Sequence, residues 1–391
     1  MIYDFDEKIQ RRGTDSYKWD SAADDGILPM WVADMDFRTA PAITDAVRRR
    51  IGHDIFGYTK VPDTYYRSIT DWFSRRHGWR IEKEWIICTT GVVPAISAII
   101  RALTSPGDKV LIQGPVYNCF YSAIRNNSCE PVSSSLIYAD RTYRMDFEDL
   151  ERKASDPAVR LMLLCNPHNP AGRVWTRDEL TKVGDICIRH GITVISDEIH
   201  CELTLPGYTY TPFASISGEF QRHSVSCISP SKSFNIAGLQ IADIVCADGA
   251  LRERIDKAAH TNEICNVNPF GIVATEAAYN ECEGWILQLM EYIKGNYDYM
   301  VDFCRKNLPD FPVTRLEGTY LAWMDCRCLD MASERLEEKL LHEAKLWLNA
   351  GTMYGPEGEG FMRWNLACPR ANVEEGLIRF YNFAASRYRS R

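Results

Sequence analysis

One lysine stands at the mouth of a strand-like run. In "CISPSKSFNIAGLQ" (227–240), Lys232 lies between Ser231 and Ser233 and is followed by Phe-Asn. The residues before it, "HSVSCIS", read as a strand, and the chain turns back through Gly238. A lysine taken alone is most often a solvated surface charge. The alternative here is a lysine that forms a Schiff base, with Ser229 and Ser231 hydrogen-bonding a phosphate beside it.

Other strand ends carry groups of matching chemistry. "TTGVVPAIS" (89–97) puts a glycine and free backbone N–H groups at a helix start. It is either an ordinary glycine turn or a phosphate site built from unpaired N–H groups and the helix dipole. "SDEIH" (196–200) ends an apolar strand on Asp197. A carboxylate buried there needs a partner, either a neighbouring loop that it caps or a protonated pyridine nitrogen. His200, three residues on, is structural or else holds Asp197 or the ring. "CNPHNPAG" (165–172) is forced into a non-helical loop by its prolines and glycine. From it Asn169 can reach a phenolic oxygen. Tyr117, after "GPV", is a core tyrosine or a ring that stacks on another ring. Arg363 in "FMRWNLACP" (361–369) is a surface charge or a bidentate clamp for a substrate carboxylate.

The elements that must position these groups alternate. Strand-like runs at 83–90, 109–115, 159–167, 192–200, 224–231 and 241–248 are interleaved with helical patterns at 92–103 and 176–190. The second helix opens on a capping box, Thr176 with Glu179 three residues later, and Gly191 stops it. Repeated β–α alternation predicts an α/β fold, a mainly parallel sheet covered by helices. In such sheets ligands bind beyond the carboxyl ends of the strands, and five strand ends here carry the groups just described. The last hundred residues follow a different pattern, with a long helix (287–307), an edge-like strand (314–325), a charged helix (332–349), a strand (361–367) and a last helix from Asn372. They predict a smaller α+β domain made of 1–47 and 287–391, beside a large domain of 48–286.

Composition narrows the function classes. A net charge of −8 gives no general pull toward nucleic acid or anionic membrane. No run of 18 apolar residues predicts a membrane span, and the first residues, "MIYDFDEKIQRR", lack a signal-peptide core. The 14 cysteines form no C-x-x-C pair, so zinc and thioredoxin patterns are missing. Scattered thiols without an export signal suit a reducing cytosol.

"NPHNPAG", "SDEIH" and "SPSKSFN", in this order, resemble the fold-type I pyridoxal-phosphate (PLP) enzymes of the aspartate-aminotransferase superfamily. "WVADMDF" (31–37), "GYT" (57–59), "GVVPA" (91–95), "EGTYLAW" (317–323) and "GEGFMRWNLACP" (358–369) narrow the resemblance to the MalY/PatB family of cystathionine β-lyases and cystalysin-type C–S lyases. The resemblance implies PLP as cofactor, with Lys232 as its Schiff-base lysine. It pairs Asp197 with the pyridine nitrogen and Asn169 with the phenolic oxygen, and it stacks Tyr117 on the ring. Gly91, Val92, Val93, Ser229 and Ser231 would surround the phosphate. Arg363, helped by backbone near Ala33, would hold the substrate carboxylate. Tyr58 would reach the phosphate of the other subunit of a homodimer, and Lys232 or Tyr58 would protonate the leaving thiolate.

Two departures stand out. The family often has Tyr-Pro-Phe after the stacking tyrosine, where this chain has Asn118-Cys119-Phe120. The aminotransferase branch often has an arginine soon after the lysine, where this chain has Leu239-Gln240. The expected activity is β-elimination on L-cystathionine or related cysteine S-conjugates. The alternatives are amino-acid transamination and, as in some relatives, a regulatory role through binding another protein.

Overall fold

The computed structural model describes residues 2–22 and 24–388. At its centre is a seven-stranded sheet. From edge to edge its strands are Ile86–Thr89, Ala242–Val245, Ser224–Ile228, Thr193–Asp197, Val159–Cys165, Lys109–Ile112 and Glu130–Ser133. Ala242–Val245 runs antiparallel to both of its neighbours, and the other pairings are parallel. The mainly parallel α/β sheet expected from the sequence is therefore present. Its inner strands are apolar on both faces because helices cover both sides. Leu161 and Leu163 pack in one core cluster, and the alternating Met162 and Leu164 in another.

Six of the strands point the same way. Thr89, Ile112, Cys165, Asp197 and Ile228 thus end along one edge, and the loops after them converge. The helix Val92–Leu103 follows the first of these ends directly, with Gly91 at its N-cap. The capping box forms as expected: Thr176 accepts from the Glu179 N–H, and Glu179 accepts from that of Thr176.

A second, three-stranded sheet holds Leu321–Asp325, Phe361–Asn365 and Asn349–Ala350, with Leu321–Asp325 on its edge. Two expectations for this region are corrected. Residues 314–320 are not strand. Glu317 bends away to pair with Arg173 at 2.8 Å, Thr319 has φ of 69°, and a Cβ on Gly318 would meet Val174 at 2.7 Å. The charged helix ends at Glu343, not at 349. Lys345 takes φ of 54°, and Leu346–Trp347 leaves to pair with Leu28–Pro29. That two-stranded pairing, with Asn365 N–H donating to Met30 O at 2.9 Å, ties the segment around Leu28 to the three-stranded sheet.

Candidate active site

The segment "WVADMDF" is held from three directions. Asn235, three residues after Lys232, accepts from Met35 N–H and donates to the carbonyls of Met35 and Phe37. Asn365, at the end of the Arg363 strand, donates to the carbonyls of Val32 and Asp34. Behind the segment, Lys18 is fully buried, 2.9 Å from Asp36 and 3.5 Å from Asp34. Arg11 closes on the same two carboxylates at 2.6 and 2.8 Å. Buried charges persist only when paired in this way. These ties fix two backbone carbonyls, those of Trp31 and Ala33.

Both carbonyls face the expected site residues. Lys232 Nζ donates to Ala33 O at 2.7 Å, and Tyr320 Oη donates to the same oxygen at 3.0 Å. Arg363 donates to Trp31 O at 2.6 Å and to Asn169 Oδ1 at 3.3 Å. Its guanidinium lies 4.9 Å over the Tyr354 ring, and its Nε is buried without a partner. Asn349 bridges Trp31 O and Tyr354 Oη. Lys232, Asn169, Arg363 and Ala33, drawn from four separate stretches of sequence, thus meet in one cleft.

Asp197 closes the strand beside them. It is 2 % exposed, and its carboxylate accepts from Ile199 N–H at 3.1 Å. Burial pushes its pKa up to about 7, against the smaller lowering effects of that N–H and of Lys232. Cys165 and Cys227 are its register partners on the two flanking strands. Burial lowers the Lys232 pKa, as does Arg363, while Asp34 and Asp197 oppose the shift. His200 is buried with Nδ1 unpartnered. Burial, with Lys232 and Arg363 adding to it, holds its pKa down at about 3, so the ring is neutral.

Asn169 is positioned by its own loop. Its N–H donates to Cys165 Sγ at 3.4 Å, and that thiol donates to Pro167 O at 3.3 Å. Tyr117 lies just before the helix Asn118–Asn126, and burial raises its pKa. At the helix start, Gly91 and Val93 are half-buried and Val92 is buried; the first N–H groups of a helix have no acceptor within it. Ser229 Oγ donates to Ile241 O at 2.7 Å and accepts from Ser231 N–H at 3.1 Å. In this arrangement the Ser229 hydroxyl proton stays inside the loop, and Ser231 is the half-buried serine beside Lys232. Tyr58 is not brought to this cleft. It is fully exposed, with Ile55 and Phe56 beside it.

Some members of the site were not singled out from the sequence. Tyr320 lay inside the quoted "EGTYLAW" and Asn235 inside "SPSKSFN", so a signal was present for both. Asn349, Tyr354 and Lys18 had none, because their roles arise only when distant segments pack.

A cleft with this set of groups has known counterparts. The family model for class I and II aminotransferases matches residues 27–380. Cystathionine beta-lyase PatB from Bacillus subtilis is 43% identical over 379 residues, which is 96% of this chain and 98% of PatB. A PLP-bound structure from Clostridium difficile 630, named for an aminotransferase, is 45% identical with a TM-score of 0.95; the match covers 97% of this chain and 99% of that one. Cystalysin from Treponema denticola, whose structure contains pyridoxal 5'-phosphate, is 36% identical with a TM-score of 0.96, covering 99% of this chain and 100% of that one. The chain belongs to the class I and II aminotransferase family, and within it resembles the MalY/PatB group.

Proposed function

We propose that the protein is a PLP-dependent carbon–sulfur β-lyase, acting on L-cystathionine or related cysteine S-conjugates to give a thiol, pyruvate and ammonia. The observation that carries this reading is the meeting of Lys232, Asp197, Asn169 and Arg363 in one cleft of a chain whose relatives include cystathionine β-lyases.

The residues present fit the cofactor. Asp197 is a buried carboxylate with its pKa raised, and a protonated ring nitrogen is the cationic partner that this burial calls for. His200 presents a neutral ring with an unpartnered nitrogen. Gly91, Val92, Val93 and Ser231 would hold the phosphate, with Ser229 shaping their loop. Asn169 would bind the phenolic oxygen, and Tyr117 would cover the ring. When bound, the cofactor supplies an electron sink for the electron pair left at the substrate Cα.

The chain's own groups supply the rest. Arg363 binds the α-carboxylate, with its guanidinium oriented by Trp31 O and Asn169 and supported on Tyr354. Lys232 takes the proton from Cα. Its lowered pKa favours the neutral amine that a base must be, and Ala33 O holds Nζ on the substrate side of the cleft. Lys232 or the partner subunit's Tyr58 returns a proton to the leaving sulfur.

We infer a homodimer with shared sites. Support comes from the run Ile55–Tyr58, which exposes Ile55 by 64%, Phe56 by 59% and Tyr58 completely. An apolar run of this kind, away from its own cleft, suits insertion into a second copy. The division into 1–47 with 287–391 and 48–286 is supported by the two separate sheets and by the Leu28–Leu346 pairing. A reducing cytoplasm is supported by the 14 cysteines, 11 of them buried. Among the described residues no helix is long and apolar enough to cross a membrane.

The test is incubation with L-cystathionine and no keto acid. Stoichiometric pyruvate, ammonia and homocysteine are expected, with alanine a poor substrate because it has no leaving group. The aminotransferase name of the Clostridium difficile neighbour favours a second reading, transamination. That reading wins if turnover stops after about one equivalent per site, the limit for an acceptor-dependent half-reaction, and resumes with 2-oxoglutarate or pyruvate.

A further inference from the structure

Cys119 acts electrostatically on both Lys232 and Tyr354. It is half-buried, while 11 of the 14 cysteines are buried. It occupies the second position of the helix Asn118–Asn126, two residues after the ring-covering Tyr117, whose hydroxyl feels its charge. The segment that carries it is pinned at both ends to one atom. Val116 N–H donates to Tyr354 O at 2.8 Å, and Tyr121 Oη donates to the same oxygen at 3.4 Å. Tyr354 in turn carries Arg363 on its face. The Cys119 turn is therefore fixed relative to the carboxylate clamp, although the two lie more than 200 positions apart in sequence.

The substrate's Cα has four substituents. The proposed function assigns the hydrogen to Lys232 and the carboxylate to Arg363, and the nitrogen would lie toward the cofactor. The buried, unpartnered Nε of Arg363 marks this as a place built for a polar ligand. The fourth substituent is the Cβ–sulfur arm, and it must take the remaining wall.

We propose that Cys119 forms that wall and sets which sulfur substituents the enzyme accepts. A cysteine side chain is small and polarizable, and sulfur makes close contact with apolar and aromatic groups. Beside Tyr117 and Tyr354 it leaves room for an extended thioether arm, where a larger residue would fill that room. Cys119 takes no proton in this role and forms no covalent bond.

This inference rests on the β-lyase reading, and the experiment separates the two. Pyruvate release is measured from S-methyl-L-cysteine, S-benzyl-L-cysteine and L-cystathionine with the loaded wild-type enzyme, Cys119→Ala and Cys119→Phe. Cofactor content is read by absorbance, and inhibition by L-alanine reports amino-acid binding without a sulfur arm. Cys119→Phe is expected to lower kcat/KM for the two larger substrates at least tenfold more than for S-methylcysteine. Cys119→Ala is expected to move the ratio toward the larger ones. Cofactor content and the alanine inhibition constant should stay within about twofold, a margin below 0.5 kcal/mol. If the wild type releases no pyruvate from any substrate, the β-lyase reading fails. If it does, but both variants change all three substrates in parallel, Cys119 does not set specificity and the inference is overturned.

Discussion

Lys232 Nζ and Ala33 O lie 2.7 Å apart across 199 positions of sequence. A single backbone carbonyl therefore sets where the amine rests, and "WVADMDF" is tied down to hold that carbonyl. Lys232→Ala should abolish turnover while PLP still binds through the other contacts. Borohydride treatment of the wild type should fix the cofactor on one peptide, the one containing Lys232. A reduced adduct mapped to any other lysine refutes the assignment.

Arg363 is aimed by Asn169 and Trp31 O and is 3 % exposed. Losing a buried charge-assisted contact costs about 2–5 kcal/mol. At about 1.4 kcal/mol per tenfold, Arg363→Ala should lower kcat/KM by more than tenfold with PLP content unchanged. Arg363→Lys keeps the charge but loses the planar fork, so it should fall between wild type and alanine. A folded Arg363→Ala protein that no longer retains PLP would reassign the arginine to the cofactor.

Much of this site was legible because it is local in sequence. Asp197, Asn169 and Lys232 sit at the ends of apolar runs, and a parallel sheet brings such ends to one edge. Arg363 was legible as a type of group, but its direction was not. That direction comes from Trp31 O, Asn169 and Tyr354, which lie 332, 194 and 9 positions away by the numbering. Lys18 was invisible for a related reason: a lysine followed by Trp-Asp reads as surface until Asp34 and Asp36 fold over it. The strand expected over 314–325 kept only its second half, because the Arg173–Glu317 pair and the close approach at Gly318 outweigh local strand preference.

Tyr58 tests the assembly directly. It is fully exposed in the single chain, and the proposed role for it would be played in a second subunit. In a hybrid of Tyr58→Phe and Lys232→Ala subunits, one site combines an intact Lys232 with the other chain's intact Tyr58, and the second site has lost both. Mixing the inactive Lys232→Ala protein with the impaired Tyr58→Phe protein under subunit exchange should therefore recover activity at one site per hybrid. If hybrids form, as shown by mass or tagging, and activity stays at the level of the parents, Tyr58 does not act across the interface.

Asp197 gives a prediction with a definite sign. With no ring nitrogen beside it, its folded-state pKa is raised to about 7, above the value of about 3.9 for an unfolded aspartate. Between these values the folded chain binds the extra proton. Its contribution to stability is then present in full below the unfolded pKa and is lost as pH rises through the folded one. Asp243, also buried with a pKa of about 7, acts in the same direction, but it remains in both forms of the protein and cancels when they are compared. A ring-nitrogen cation beside Asp197 stabilises the carboxylate and removes the penalty. The thermal shift between loaded and cofactor-free protein should therefore widen from pH 5 to pH 8. Asp197→Asn, which cannot ionise, should flatten that widening while leaving the cofactor-free protein more stable than wild type at pH 8. Melting both proteins with and without PLP across this range checks the claim. A wild-type shift that is constant with pH would mean that Asp197 is not the group that meets the ring nitrogen.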